Sequence, residues 1–255
     1  MGVLLSVAYD GRPYHGFVEQ PGQSTVAGEL LTALRQIDPT IARLDATSRT
    51  DRGVHARDQR VAFVPARPLA LTAWTHGAQK HLPNSISIRR AWEVADDFFP
   101  RGHVVSKTYR YTLLFDEVRD PFCDGFVWRL TAGSRDEACR VMAEEAQALV
   151  GTHDFSAFRG AQDERESAVR TLLFCNVSPS PHDPRVAWVD VCGTGFLYHM
   201  VRIIVGTLVD VARGRRKPGT VQRALVSGDR REGGITAPPD GLCLQSYDLS
   251  GIDSP

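Results

Sequence analysis

The run from Phe196 to Ala212 constrains the fold more than any other stretch of the chain. It is apolar almost all round, and a helix with that pattern is one that folding buries. It is interrupted by His199, Arg202 and Asp210, and it is shorter than the roughly 20 residues a bilayer span requires. The reading is therefore a buried helix, not a membrane segment. Arg202, set among Met200, Val201, Ile203 and Ile204, tightens the constraint. Burying an unpaired cation is costly, so its guanidinium must reach an acidic partner or line a polar cleft.

The rest of the chain mixes the two periodicities. Val3 to Tyr9 reads as a strand closed by the turn Asp10-Gly11. Ser24 can cap a helix carrying Val26, Leu30, Leu34 and Ile37 on one face. Ile41 to Thr47 is a weaker strand, Ser48 to Arg60 a polar, arginine-rich turn, and Val61 to Val64 a short strand. Thr72 opens a helix with Leu71, Trp74, Ala78 and Leu82 near one face, and Ile86, Ile88 and Val94 mark another strand. Tyr109, Tyr111, Leu113 and Phe115 alternate as one face of a strand, and Ser134 to Glu137 forms a capping box. Strands follow at Val169 to Val177 and Val186 to Val191. A short helix follows Pro218, and a last strand runs from Leu242 to Leu249. This is not the strict alternation of a doubly wound sheet; it predicts α+β architecture with largely antiparallel strands. A chain of 255 residues favours two packed domains, with the joint near Pro100 to Val105. The boundaries adopted are 1–102 and 103–255.

Composition excludes several classes of function. With 30 basic and 30 acidic side chains the formal charge is zero, which argues against a protein that coats nucleic acid non-specifically. Local basic surface is still available, since His199 to Lys217 carries five arginines and lysines against Asp210 alone. The five cysteines are odd in number and form no C-x-x-C pair, and the eight histidines show no ligand spacing. No metal and no disulfide framework is indicated. Met1 to Tyr9 lacks the basic start of a signal peptide, so a cytoplasmic protein is expected.

Three segments carry chemistry. In Ser48-Arg49-Thr50-Asp51-Arg52-Gly53-Val54-His55-Ala56 a carboxylate lies between two arginines, and Gly53 permits a tight backbone path. A neighbouring cation favours the ionised carboxylate, the form that can act as a nucleophile. An isolated Arg-Thr-Asp is nevertheless most often a surface turn. In Lys107-Thr108-Tyr109-Arg110-Tyr111 tyrosines alternate with cations, which suits stacking on an unstacked base with phosphates nearby. An ordinary strand with an aromatic core face explains that segment equally well. The third segment, Gly193 to Gly206, holds Arg202; its G-x-G lacks the remaining pattern of a dinucleotide site.

Together these segments resemble the bacterial tRNA pseudouridine synthase A family. The resemblance keeps one order along nearly the whole chain. It runs from Tyr9-Asp10-Gly11 and Gly16-Phe17 through Arg49-Thr50-Asp51, Gly53-Val54-His55-Ala56, Gln59 and Leu82-Pro83. It continues with Tyr109-Arg110-Tyr111, His153-Asp154-Phe155, Phe158, Phe196 to Gly206, Asp229-Arg230, Ala237-Pro238-Pro239 and Gly241-Leu242. It implies two α/β subdomains joined in one continuous sheet, an active-site cleft between them, and a homodimer that binds tRNA without metal or organic cofactor. It implies isomerisation of uridine to pseudouridine in the anticodon stem-loop, at positions 38, 39 and 40. The family's catalytic aspartate falls on Asp51, its active-site arginines on Arg49 and Arg202, and its substrate-contacting tyrosine on Tyr109. Lys107 and Arg110 join Tyr109 as substrate-binding candidates.

Several positions depart from the family pattern. Ser48 replaces a common glycine, Phe17-Val18-Glu19-Gln20 replaces Trp-Gln-x-Gln, Gln79 replaces an asparagine, and Phe99 to His103 loses His-Ala-Arg-Phe. These changes spare the nucleophile. They leave open a non-catalytic or site-shifted paralogue that binds and remodels tRNA. An aspartate-dependent hydrolase of small molecules has only Tyr9-Asp10-Gly11 in its favour.

Overall fold

In a computed structural model describing residues 1–131 and 133–252, the chain forms two units. The first comprises residues 1–105 and the stretch from Cys243, and the second comprises residues 106–242. The first unit is built around β1 (Gly2–Tyr9), whose side chains are buried on both faces. A strand buried on both faces must be central, and β1 lies antiparallel between β3 (His55–Phe63) and β4 (Ile86–Val94). The short β2 (Asp45–Ala46) pairs with the far end of β3. The last strand, β10 (Leu242–Leu249), returns from a remote part of the sequence to pair with the start of β3 in parallel, Cys243 opposite His55. Helix α1 (Val26–Arg35) contributes Leu30 and Leu34 to this core. Its cap is Thr25, one residue beyond the expected Ser24; the Thr25 hydroxyl accepts the Gly28 amide at 3.3 Å. The helix expected near Thr72 carries a π-helical turn at Ala73–Gly77, with Trp74 fully buried.

The second unit holds β5 (Val104–Phe115), paired antiparallel with β9 (Val186–Gly193) and parallel with the short β6 (Trp128–Leu130). Next come β8 (Val169–Pro179) and β7 (Gly151–Asp154), both antiparallel to their neighbours. Three helices pack here: α2 (Arg135–Ala146) on β8 and on α3 (Met200–Ala212), and α4 (Thr220–Ser227) on both helices. Ser134 caps α2 as expected, its hydroxyl accepting the Glu137 amide. The α4 N-terminus is capped from outside, because Glu145 on α2 accepts the amides of Gly219 and Val221. As the sequence demanded, α3 is buried along almost its whole length. It begins at Met200 rather than Phe196, and residues 196–199 form a loop ending in His199 at φ 59°. Among the described residues, no helix is long and apolar enough to cross a membrane.

The architecture is α+β with mostly antiparallel strands. A further expectation fails: Ser48 to Arg60 is not all turn, since β3 already begins at His55. Its charged residues disguised it. Asp58 and Arg60 point to one face, where Arg60 donates to both carboxylate oxygens at 2.7 and 2.9 Å. Ser6 donates to Asp58 at 2.5 Å, and the Arg60 guanidinium lies 4.4 Å from the Trp92 ring centre. The pair is buried, with Arg60 only 1% exposed. Asp58→Ala should therefore destabilise the protein by about 3–5 kcal/mol, because it strands a buried cation. The double replacement Asp58→Ala/Arg60→Met should recover most of that loss. Denaturant unfolding of the three proteins measures this; a double variant as unstable as the single one would show that the charge is not what matters.

Candidate active site

The turn bearing Asp51 hangs from a buried amide. Gln59, in the middle of β3, is completely buried. Its Nε2 donates to the Ser48 carbonyl at 2.7 Å, while its Oε1 accepts the hydroxyls of Thr47 and Tyr247, each at 3.0 Å. The amide side chain thus ties the strand that leaves the turn to the segment that enters it, and Tyr247 of β10 closes the set. On the other side of the turn, the hydroxyls of Tyr9 and Thr50 are 2.7 Å apart, and the Phe17 amide donates to the Thr50 carbonyl. The Val54 amide closes the turn onto the Asp51 carbonyl at 3.1 Å, around Gly53 at φ 79°. Asp51 is half-buried at the apex, and Arg49 is exposed.

The Tyr9-Asp10-Gly11 corner supports the same turn. A Cβ on Gly11 would lie 2.1 Å from the Val54 carbonyl oxygen, so only glycine lets the two backbones pass. The Gly11 amide donates to His55 Nδ1 at 3.1 Å, which makes that nitrogen an acceptor. Asp10 Oδ1 lies 3.3 Å from the same nitrogen, so this second contact becomes an ion pair only if His55 is protonated. Burial alone would raise the Asp10 carboxyl, but the hydrogen bonds and charge of Arg12 outweigh it and hold the group below its ordinary range.

In the second unit, Tyr109 and Tyr111 occupy one face of β5 and Arg110 the other. Tyr109 is buried, and its ring meets Phe196 edge-on at 5.3 Å. The Lys107 ammonium sits 5.7 Å from the centre of the same Phe196 ring. Arg110 has a different setting: its Nε and Nη2 donate to the two carboxylate oxygens of Asp190, at 2.7 and 2.8 Å, and its guanidinium stacks on Trp188 at 4.0 Å. These contacts are a cross-strand pair of the sheet, since Arg110 and Asp190 face one another in register.

Arg202, half-buried on α3, donates from Nε to the Ala237 carbonyl at 2.8 Å, while the Ala237 amide donates back to the Arg202 carbonyl. That reciprocal contact forms because α3 runs against the segment before β10. A Cβ on Gly206 would fall 1.8 Å from the Ile235 carbonyl oxygen. Tyr111, fully buried, donates its hydroxyl to the Pro238 carbonyl at 2.7 Å. Burial pushes its hydroxyl well above its ordinary range, opposed by the charge of Arg202. Ala237 and Pro238 therefore fix both Arg202 and Tyr111.

A family model described as tRNA pseudouridine synthase matches residues 146–248. A tRNA pseudouridine synthase A of Syntrophotalea carbinolica is 39% identical over 242 residues, covering 95% of this chain and 94% of that relative. The chain belongs to the tRNA pseudouridine synthase A family. A relative of the same name from Geotalea uraniireducens is 39% identical over 95% of this chain and 97% of its own, and one from Brevibacillus brevis 38% over 93% and 95%.

The departures from the synthase A pattern are accommodated locally. Gln79 makes the contacts an asparagine would have to stretch for: its Nε2 donates to the Ile86 carbonyl and its Oε1 accepts the Ile88 amide, holding the start of β4. Phe17 is buried with its ring 6.1 Å from that of Tyr9. Ser48 is buried and offers Gln59 its carbonyl, a contact that any residue can provide. Composition and periodicity gave no reason to single out Gln59, Tyr247 or Phe196 for what they hold; the signal for Gln59 and Phe196 is their place in the order of family motifs. Gln59→Leu should remove three buried hydrogen bonds, each worth about 1 kcal/mol. It should also slacken the Asp51 turn, lowering turnover by about 100-fold. Tyr247→Phe removes one of these three bonds to Gln59 and should be milder in both chemical unfolding and turnover; equal stability of Gln59→Leu and wild type would show that the amide is not the anchor.

Proposed function

We propose that this chain converts uridine to pseudouridine in the anticodon stem-loop of tRNA, at positions 38, 39 and 40, with Asp51 as the nucleophile. Isomerisation of tRNA uridine follows from family membership, carried by 39% identity over 95% of the chain. The assignment to Asp51 is supported by the fixed turn that presents it. A homodimer working in the cytoplasm, binding tRNA phosphates through clustered arginines, completes the proposal.

The reaction breaks the N-glycosidic bond, turns the freed uracil and rejoins it to the ribose through carbon 5. A paired uridine must first leave the stack, at a cost of a few kcal/mol that is smallest at the end of a stem. In this reading Tyr109 holds the detached base while it turns, and Lys107 and Arg49 meet phosphate. Arg202 pairs with Asp51 and keeps it ionised and aimed. Arg110 was a substrate-binding candidate of the same strand; its ion pair with Asp190 supports a role in bracing the sheet beneath Tyr109.

Asp51→Asn preserves shape but is a far poorer nucleophile and base, so it should abolish pseudouridine formation while tRNA affinity is retained. Both quantities are measured on one preparation. Residual turnover within tenfold of wild type, ~1.4 kcal/mol of barrier, would sink the assignment.

Arg202→Met keeps apolar bulk on α3 and removes the charge; folding should survive while turnover falls by orders of magnitude. Arg202→Lys keeps the charge but loses the planar fork, and should be intermediate. Near-wild-type turnover in the methionine variant would exclude the pairing with Asp51 and leave the nucleophile assignment standing by itself.

A further inference from the structure

Loop 159–165 in the second unit has no role in the reading above, and it is tied to the segment that carries Phe196. The Tyr198 amide donates to Asp163 Oδ2 at 2.6 Å, the Gly160 amide donates to the Tyr198 carbonyl at 2.9 Å, and Arg165 Nη1 donates to the Phe196 carbonyl at 2.5 Å. Asp163 is the hub of these contacts. Its Oδ1 accepts the Arg165 amide at 3.1 Å, and the guanidiniums of Arg159 and Arg165 lie 3.5 and 3.6 Å from its carboxylate. Arg159 also donates to the carbonyls of Asp163 and Arg165. The Asp163 side chain is only 2% exposed.

The segment so held, 196–199, does two things. Phe196 forms the edge-on wall against Tyr109 and lies under Lys107. His199, in the left-handed region at φ 59° and stacked on Tyr198 at 3.8 Å, turns the chain into α3, and its carbonyl accepts the Ile203 amide. Arg202 follows within the first turn of that helix.

We propose that Asp163 is a positioning residue for the isomerisation, holding the 196–199 segment so that Phe196 fixes the Tyr109 ring and α3 starts where Arg202 is aimed. The inference rests on the proposed roles of Tyr109 and Arg202. A buried carboxylate suits the task because it accepts from two backbone amides while facing the charge of two guanidiniums. Burial pushes its carboxyl up, but the amides of Tyr198 and Arg165 and the two neighbouring guanidiniums outweigh this and keep it ionised.

The test uses full-length protein and tRNA under single-turnover conditions. Asp163→Asn is nearly isosteric but replaces an acceptor with a donor, setting N–H against N–H at Tyr198 or at Arg165. Its rate should fall at least tenfold while the Kd for tRNA changes less than threefold and thermal unfolding stays cooperative. Arg165→Gln loses the bond to the Phe196 carbonyl from a largely exposed side chain; it should lower the rate in the same direction and serves if Asp163→Asn does not fold. The decisive readout is coupling. In a Phe196→Ala background, Asp163→Asn should add less than twofold, because its effect passes through Phe196. A wild-type rate for both Asp163→Asn and Arg165→Gln, an equal loss in rate and affinity, or full additivity with Phe196→Ala overturns the proposal. Asp51→Asn in the same assay reports on the nucleophile separately, and Tyr109→Leu on the base-holding role. A silent Tyr109→Leu would therefore fault that reading, while a silent Asp163 alone would fault only this inference.

Discussion

A buried polar side chain must find partners, and in the first unit that requirement is concentrated on the amide of Gln59. Leaving such a group unmet costs about 1–3 kcal/mol, comparable to a fair fraction of a domain's whole stability. Gln59 satisfies both ends of its amide with the segment entering the Asp51 turn and with Tyr247 on β10. The turn is therefore not a free surface loop whose shape is set by local propensity. Its entry is welded to its exit through a strand that is itself sealed between β1 and β10.

The second unit solves a related problem with backbone groups rather than a side-chain amide. α3 is apolar enough to be drawn into the core, yet it carries Arg202, Thr207 and Asp210. Each is met by the strip leading to β10: Arg202 by Ala237, Thr207 by the Gly234 amide at 2.8 Å, and Asp210 by the Ile235 amide at 3.2 Å. The close pass at Gly206 is what brings that strip within hydrogen-bonding range. One helix face thus buries its polar residues without leaving the apolar core around them.

Those two constraints explain what was legible in the sequence and what was not. β1 could be read from its unbroken apolar run, and α1 and α2 from a periodicity that expresses burial on one face. β3 was half missed because Asp58 and Arg60 look like solvent residues until Ser6 and Trp92 are placed beside them, and those lie far away in sequence. The return of β10 to the first unit was equally invisible, since the parallel pairing of Cys243 with His55 leaves no local mark. Phe196 was assigned to a helix by its apolar neighbours, but the bonds from Asp163 and Arg165 compete for the backbone of residues 196–198 and delay the helix to Met200. Motif order singled out Asp51, Tyr109 and Arg202 as candidates, whereas the contacts that hold them were unreadable because support is a property of distant contacts. Arg110 shows what reading by motif leaves out: cations beside tyrosines suggested phosphate, and the register of β5 on β9 also sets it opposite Asp190.

The setting of Arg202 also bears on why an arginine is needed there. A lysine at this position would be a point charge at the end of a flexible stem, free to swing among acceptors. The Arg202 Nε is occupied by the Ala237 carbonyl at 2.8 Å, and because the guanidinium is planar, that one bond orients the whole group. The two remaining nitrogens then project in directions fixed by the backbone of residues 235–237, which is itself fixed against Gly206. A fork aimed in this way has little side-chain freedom left to lose, because its order is paid for when the protein folds.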